Sequence, residues 1–266
     1  MRWFARAGYA ARGLIYLVIA VFALLAAFGA GQPAGTRDAL STLLSNPAGG
    51  AIAYALAAGL LFYSLWRFTQ ALFDTDRHGT GLKALAIRGG LLASGVTYLT
   101  LAFYAFSLRR GASEDDSGGF AEMLAAVAGA RWAATGLAIV LAGVGIAHFV
   151  KAVQERYEDH FEAGEKAMRF IHPVAKTGLI ARGTVFLVLA FLSALRAWRG
   201  GGGEEPSSKE ALEFVQQLPA GGWLLAAMGA GLAAFALYSL VEARYRRINL
   251  TEPRHQARRA VDAVRN

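Results

Sequence analysis

The sequence predicts an all-α integral membrane protein with six transmembrane helices arranged as three helical hairpins. Two observations lead to this: long stretches free of charged residues, and one pattern that occurs three times along the chain. Of the 266 residues, 55% are hydrophobic and 17% are charged, and mean hydropathy is +0.37. Soluble domains are roughly 45–50% apolar and about 25% charged. The composition therefore excludes a soluble enzyme and a disordered chain. The lack of cysteine excludes a disulfide scaffold and thiolate metal sites.

Six stretches are long enough to cross a bilayer, which takes roughly 20 predominantly apolar residues in a helix. Five are free of charge between residues 12 and 37, 38 and 67, 88 and 109, 131 and 151, and 213 and 242. The remaining stretch, fifth in chain order, runs from about Thr177 to Trp198 and carries Arg182 and Arg196 near its ends. Long side chains at those positions can reach the interfaces. The N-terminal stretch resembles a secretory signal, but its pattern recurs in the fifth helix, so we expect it to be retained as a span.

Lysine and arginine are distributed unevenly between the two sides that these spans define. The N-terminus, the 67–88 and 151–182 connections and the C-terminal tail together hold 20, whereas the other connections hold 7. Since cytoplasmic segments carry the excess of basic residues, both termini are expected to be cytoplasmic. The net charge of +8 therefore needs no nucleic acid to explain it.

The strongest signal is an internal threefold repeat, with units at about 6–76, 82–160 and 174–249, followed by a basic tail at 250–266. A shift of 172 places DALSTLLSNPAGG (38–50) on EALEFVQQLPAGG (210–222) without a gap. Each unit is predicted to be a span, a short outer amphipathic helix that the Pro-Ala-Gly-Gly ends, and a returning span. The middle unit diverges most, and we align its Arg88-Gly89, Gly143 and Lys151 with the positions of Arg12-Gly13, Gly59 and Arg67.

The chain resembles a family of bacterial membrane proteins built from a thrice-repeated two-helix domain, domain of unknown function 1206. The resemblance rests on the A-R-G openings (11–13 and 181–183), the A-L…P-x-G-G outer loops and the closing V-E-A-R-Y-R-R-I (241–248). It implies an integral protein of the bacterial inner membrane. It implies no established activity and no catalytic residues.

Arginine in the spans gives the first candidate site. Arg12, Arg88 and Arg182 are expected at one depth, a turn inside the cytoplasmic face, although an arginine at the bilayer centre costs at least a few kcal/mol. One interpretation is a basic ring that binds an anionic lipid headgroup or selects ions. The other is that each arginine sets orientation and bonds helix-end carbonyls of a neighbour.

Polar residues on the returning helices complete the candidate site. Arg67, Lys151 and Glu242 lie at comparable depth, and Glu242 is the acidic residue there. We expect it to form a structural ion pair with a ring arginine in preference to a proton relay, because relays need further carboxylates deeper in the membrane.

His148 is the histidine placed well inside a span, and we align it with Ser64. It is interpreted as a hydrogen-bonded packing residue, with a pH-sensitive intramembrane site as the alternative, because imidazole titrates near neutrality. Bis-histidine haem would need a second membrane histidine. No cofactor and no metal site are expected.

Small residues predict tight helix contacts more readily than a wide pore, above all the row Gly129, Gly136 and Gly143. The leading hypothesis is a non-enzymatic structural, lipid-binding or accessory membrane component, with membrane lipids as partners and a homo-oligomer or larger complex possible. The alternative is a small ion channel or transporter whose path follows the pseudo-threefold axis.

Overall fold

The computed structural model describes residues 2–44, 49–75, 79, 81–109, 129–155, 165–200 and 206–246. These ranges contain eight helices: α1 (Arg2–Ala27), α2 (Thr36–Leu44), α3 (Gly49–Phe73), α4 (Leu82–Arg109), α5 (Ala130–Val153), α6 (Glu165–Trp198), α7 (Ser208–Gln216) and α8 (Gly221–Tyr245). The expected outer helix of the middle repeat and the basic tail at 250–266 lie outside the described residues. The prediction of an all-helical chain is confirmed.

Five of the long helices are apolar and long enough to cross a membrane: α1, α4, α5, α6 and α8. Their most apolar windows have mean hydropathies between 1.4 and 2.2. α3 has 25 residues and packs between α1 and α4, but it is not among these five. The chain is thus a multi-pass membrane protein by helix length and composition.

The long helices form an open arc in the order α4, α3, α1, α8, α6, α5. Two of its interfaces join the helices of one repeat, α1 with α3 and α6 with α8. The other three join the returning helix of one repeat to the first helix of another: α3 with α4, α5 with α6, and α8 with α1. Within the described chain, α4 and α5 make at most a marginal contact. The middle repeat therefore lacks the close helix pair that the first and third repeats have.

The short helices α2 and α7 lie together at one end of the arc, where Thr36 and Ser208 hydroxyls are 3.5 Å apart. The sequence predicts that Pro-Ala-Gly-Gly turns the chain from the short helix into the next span, and the third repeat confirms it. Ala220 adopts a left-handed conformation with φ 59°. A Cβ on Gly221 would lie 1.9 Å from the carbonyl oxygen of Gln216, so only glycine fits there.

Glycine also sets the closest helix contacts. A Cβ on Gly178 of α6 would lie 2.5 Å from the backbone nitrogen of Phe235 on α8, and Gly8 makes the corresponding contact with Tyr63 on α3. The row Gly129, Gly136 and Gly143 does not pack as expected, because a Cβ there would meet nothing within 4 Å among the described residues. Seven-residue spacing identified a small-residue face without showing whether a helix covers it.

Two glycines test this packing, since both lie in helix interiors and differ in what surrounds them. Gly178→Ala should destabilise the protein by about 1–3 kcal/mol, because the new methyl group collides with backbone that cannot move aside. Gly136→Ala should be neutral or stabilising by up to about 1 kcal/mol, because alanine favours the helix and has free space. Thermal unfolding in detergent measures both, and equal losses in the two variants would contradict this packing.

Candidate functional site

The candidate site lies at the end of the bundle where α1, α4 and α6 begin and where α3, α5 and α8 end. We call this the basic end, and the end that carries α2 and α7 the short-helix end. Side chains on a helix lean toward its N-terminus. Arg12 on α1 therefore leans toward the basic end, whereas Glu242, on a helix that ends there, leans back into the bundle. The two side chains meet in the interior.

Arg12 is only 2% exposed, and each of its three guanidinium nitrogens donates a hydrogen bond. Its Nη2 donates to Glu242, its Nη1 donates to the Tyr63 hydroxyl, and its Nε donates to Ser239 Oγ at 3.1 Å. Glu242 is equally buried and accepts a second charged hydrogen bond from Arg246, one helical turn later. The expected ion pair of Glu242 with a ring arginine is present. Each carboxylate oxygen of Glu242 accepts from a guanidinium, Oε2 from Arg12 and Oε1 from Arg246.

Tyr63 links this network to Arg67. Its hydroxyl oxygen accepts from Arg12 and from Arg67 Nη2, and the Arg67 guanidinium also lies 4.8 Å from the Tyr63 ring centre. Arg67 Nη1 donates to Gln70 Oε1 at 3.2 Å. One phenol thus joins two cations on different helices, and Arg67 reaches the half-exposed rim of the cluster.

Arg182 has a different environment, although it holds the same position in the third repeat as Arg12 in the first. It is 9% exposed, and its guanidinium lies 4.5 Å from the Phe235 ring centre and 4.9 Å from that of Tyr16. Its Nη2 donates to the Tyr98 hydroxyl at 3.3 Å, and its Nε has no hydrogen-bond partner within the described chain. No carboxylate in the described ranges pairs with it. Aromatic rings and one phenol hydroxyl are its contacts in the described chain.

Lys151 approaches the cluster from α5. Its Nζ donates to the Tyr238 hydroxyl at 3.0 Å. Tyr238 lies one turn before Glu242 on α8, so Lys151 enters from the side opposite α1. With Arg12, Arg67, Arg182 and Arg246, it makes five cationic side chains in this end of the bundle, of which Arg12 and Arg246 bind the carboxylate of Glu242.

Arg88 does not join this cluster, which corrects the expected ring of three arginines. Its Nε donates to the carbonyl oxygen of Ala71 at 2.6 Å and its Nη2 to that of Leu72 at 3.2 Å, at the end of α3. This is the alternative role considered from the sequence, in which an arginine bonds the last carbonyls of a neighbouring helix.

Arg88 lies outside the cluster because the middle repeat aligns with the other two repeats in a different register from the one expected. Gly13 packs on Leu240 and Gly183 packs on Phe149. The glycine of the middle repeat that makes this contact is Gly95, which packs on Phe68. Arg88-Gly89 is therefore six residues too early, about 9 Å along the helix, and Ser94 occupies the arginine position.

The corrected register also changes the alignment of the returning helices α3, α5 and α8. The carbonyls of Ala236 and Gly145 face Gly13 and Gly183, and Ser64 Oγ donates to the carbonyl of Gly95 at 2.7 Å. Six residues after these three positions, in the same order, the sequence has Glu242, Lys151 and Gln70. Lys151 therefore corresponds to Glu242 and Gln70, and the expected alignment with Arg67 is wrong.

This register pairs different residues at the three contacts between repeats. Arg12 faces the position of Glu242, Ser94 faces that of Gln70, and Arg182 faces that of Lys151. The fold thus provides three related polar positions, but a carboxylate fills only the one opposite Arg12. The position opposite Arg182 holds Lys151, whose ammonium group bonds Tyr238 on α8.

His148 and Ser64 are not brought together. His148 Nδ1 lies 2.8 Å from the carbonyl oxygen of Val144 on its own helix, and because a carbonyl only accepts, Nδ1 carries a proton. Its ring packs 5.4 Å from Phe186. Ser64 is fully buried and bonds Gly95. Their proposed alignment is wrong, since Gly145 holds the position of Ser64. No group of three histidine, cysteine, aspartate or glutamate residues suited to a metal occurs in the described ranges.

The aromatic and hydroxyl partners of the arginines were missed in the sequence. Tyr63 lies four residues before Arg67, and Arg246 lies four after Glu242, so both stand on the same helix faces as the residues identified. That spacing was the available signal. Tyr98 was not identifiable, because it follows Ser94 by one turn and only the corrected register places it beside Arg182.

Fold and site together define a multi-pass helical membrane protein with a buried arginine–glutamate network at one end. The chain belongs to the Domain of Unknown Function (DUF1206) family, whose model matches residues 7–74, 89–155 and 177–246. The threefold repeat is thereby confirmed. Each match begins six residues before Gly13, Gly95 or Gly183, in agreement with the packing register.

A relative in Bacillus subtilis (strain 168), the uncharacterized protein YxxB, is 26% identical over 257 residues, which is 91% of this chain and 90% of the relative. No solved structure matches the chain.

The two arginines allow a matched comparison, because the same substitution can be made at corresponding positions. Arg12→Met should destabilise the protein by roughly 3 kcal/mol, since it removes one partner of a buried ion pair. Arg182→Met should cost less than about 1 kcal/mol or be stabilising, because it removes a buried charge that has no carboxylate and keeps contact with the aromatic rings. Chemical denaturation in mixed micelles, with helicity checked by circular dichroism, measures both. Equal destabilisation would contradict the different environments described above.

Proposed function

We propose that the protein is a non-enzymatic component of the bacterial inner membrane that binds an anionic phospholipid headgroup at its basic end. The observation that carries the proposal is the surplus of positive charge in that end of the bundle. Arg12, Arg67, Lys151, Arg182 and Arg246 all lie in that end, and the carboxylate of Glu242 is already bound by Arg12 and Arg246. Neither Arg182 nor Lys151 forms an ion pair with a carboxylate in the described chain; each donates to a tyrosine hydroxyl. A phosphate group would supply the missing negative charge.

The arc of helices supports access from the lipid. Within the described residues, α4 and α5 do not pack closely against each other, and Arg182 of α6 contacts Tyr98 of α4 on that side of the bundle. Lys151 lies on α5, at the other edge. Arg67 and Lys151 are half-buried, and we expect their partly exposed side chains to reach a headgroup, whereas the buried Arg12 and Glu242 hold the helices in place.

The same proposal includes six crossings, with both termini cytoplasmic. α3 is 25 residues long, about 37 Å as a helix, which exceeds a bilayer core of about 30 Å. With α3 as the sixth crossing, the chain returns to the basic end after α2, as α8 returns it after α7. The excess of lysine and arginine at that end favours the cytoplasmic side.

A channel or transporter along the pseudo-threefold axis is the weaker proposal. Large side chains that are less than 2% exposed fill the bundle core, among them Tyr9, Tyr63, Phe235, Ile15, Leu60 and Leu225. Such packing favours a lipid-binding or accessory role, since conduction needs a polar path.

The lipid proposal predicts a specific response to phosphatidylglycerol. Added to the purified protein at 100 times its Kd, this lipid should stabilise the protein by about 2.7 kcal/mol, whereas phosphatidylcholine should not. Lys151→Glu recreates opposite Arg182 the arrangement that Glu242 makes with Arg12, so it should remove most of that response. Lys209→Ala, which removes a positive charge at the short-helix end, should retain it. Equal responses to both lipids, or an unchanged response in Lys151→Glu, would disprove the proposal.

The crossings can be mapped directly, because the chain has no native cysteine. Thr42→Cys and Gln217→Cys should react with an impermeant maleimide in intact spheroplasts. Gly79→Cys and Glu155→Cys should react only after lysis, because they lie at the basic end. Labelling of residues 42 and 79 from the same side would show that α3 does not cross.

A further inference from the structure

We propose that the protein has a second lipid site at the short-helix end, a cavity between α6 and α7 that binds the headgroup of phosphatidylethanolamine. The cavity has a volume of about 290 Å³ and is open to the surface. Ligand pockets run from about 300 to 1,000 Å³, so this one suits a headgroup better than a whole lipid. It lies at the opposite end of the bundle from the basic cluster and does not depend on the function proposed for that cluster.

The α6 wall of the cavity offers guanidinium donors. Arg196 Nη2 donates to Glu210 Oε1 at 2.7 Å, but its Nη1 is buried and has no hydrogen-bond partner in the described part of the chain. Arg199 follows three residues later on the same side of the helix and also lines the cavity, with an exposed side chain. Two arginines one turn apart, with a donor to spare, match the oxygens of a phosphodiester.

The α7 wall offers the opposite charge. Glu213 lies three residues after Glu210, lines the cavity and is half-buried. Phe214 stands beside it, with its ring 5.6 Å from that of Phe191. A carboxylate next to an aromatic ring is a suitable environment for a primary ammonium group.

The fold does not require these charges, as the first repeat shows. At the positions of Arg196, Arg199 and Glu213, that repeat has Ala26, Gly29 and Ser41. Its short helix α2 packs all the same, and the capping role is shared: Asp38 accepts from the backbone of Gly35, as Glu210 accepts from that of Ser207. The two arginines and the second glutamate are thus additions to a scaffold that is stable without them.

The surroundings place the cavity at the level of lipid headgroups. Trp198, between the two arginines, is 86% exposed, and Trp223 at the start of α8 is 80% exposed. Tryptophan is enriched at the membrane interface. Leu192 and Leu195 line the membrane-facing part of the cavity, where acyl chains would begin.

The arrangement of charge selects a zwitterion. Arg196 and Arg199 balance Glu210 and Glu213, so a lone anion would be repelled by the carboxylates and a lone cation by the arginines. Phosphatidylethanolamine carries a phosphate and an ammonium group a few bonds apart and satisfies both walls. Its ammonium donates hydrogen bonds to a carboxylate, which the methylated ammonium of phosphatidylcholine cannot do.

Native mass spectrometry of the whole purified protein tests this site. Wild-type protein, titrated with phosphatidylethanolamine, phosphatidylcholine and phosphatidylglycerol, should bind the first more tightly than the second at a site that Arg199→Ala and Glu213→Gln each weaken about tenfold, the effect of losing one charge-assisted hydrogen bond. Both residues are at the cavity mouth, so the variants should fold. Lys209→Ala removes a positive charge from the same end without touching the cavity and should bind like wild type.

Three outcomes would overturn the proposal: equal binding of phosphatidylethanolamine and phosphatidylcholine, wild-type binding by both cavity variants, or full competition by soluble glycerophosphoethanolamine at equal concentration. The last would show that the headgroup binds without its lipid. Lys151→Glu should leave phosphatidylethanolamine binding unchanged, so failure of this site and failure of the basic-end site can be told apart.

Discussion

The buried ion pair of Arg12 with Glu242 is the interaction on which the arrangement of the helices depends. It joins the first long helix to the last, across 230 residues of sequence. Taking two charges out of water costs several kcal/mol per ion, and the attraction between them offsets this only when the remaining donors and acceptors are also satisfied. Ser239, Tyr63 and Arg246 provide those bonds. Helices α1 and α8 are therefore fixed in one register, because a shift of either helix along its axis would leave a buried charge without its partner.

Elsewhere at the basic end, aromatic rings contact the cationic side chains and lower the free energy of burying them. The Phe235 ring lies under both Arg12 and Arg182, at 5.1 and 4.5 Å, so one side chain supports two guanidinium groups. Each such contact contributes about 0.5–2 kcal/mol when it is desolvated. Rings can hold an arginine in the interior, but they do not neutralise it. Arg182 therefore keeps a charge that no carboxylate in the described chain pairs with, whereas Arg12 is neutralised by Glu242.

Much of the fold follows from sequence patterns, because charge-free stretches, basic connections and a repeat each reflect one physical requirement. The same repeat predicted the positions of Arg12 and Arg182, and the expected pairing of Glu242 with one of these arginines is found at Arg12. It failed in the middle unit, where an Arg-Gly pair at 88–89 imitates the motif six residues before the glycine that packs, Gly95. A two-residue match carries too little information to fix a register. Contacts between helices fix it, because only Gly95 lies against Phe68 as Gly13 lies against Leu240. The partners Tyr63 and Tyr98 were missed for the same reason, since their roles depend on side chains from other helices.

The span of sequence between Arg12 and Glu242 has a consequence for how the protein is made. During translation at about 5–20 residues per second, roughly 10–45 s pass between the synthesis of the arginine and that of its carboxylate. Throughout that interval the guanidinium of α1 has no counter-ion from its own chain. The membrane insertion machinery or nearby phosphate groups must shelter it, and the bundle closes only when the C-terminal helix arrives. Chains that stop short of residue 242 would lack the carboxylate that neutralises this charge.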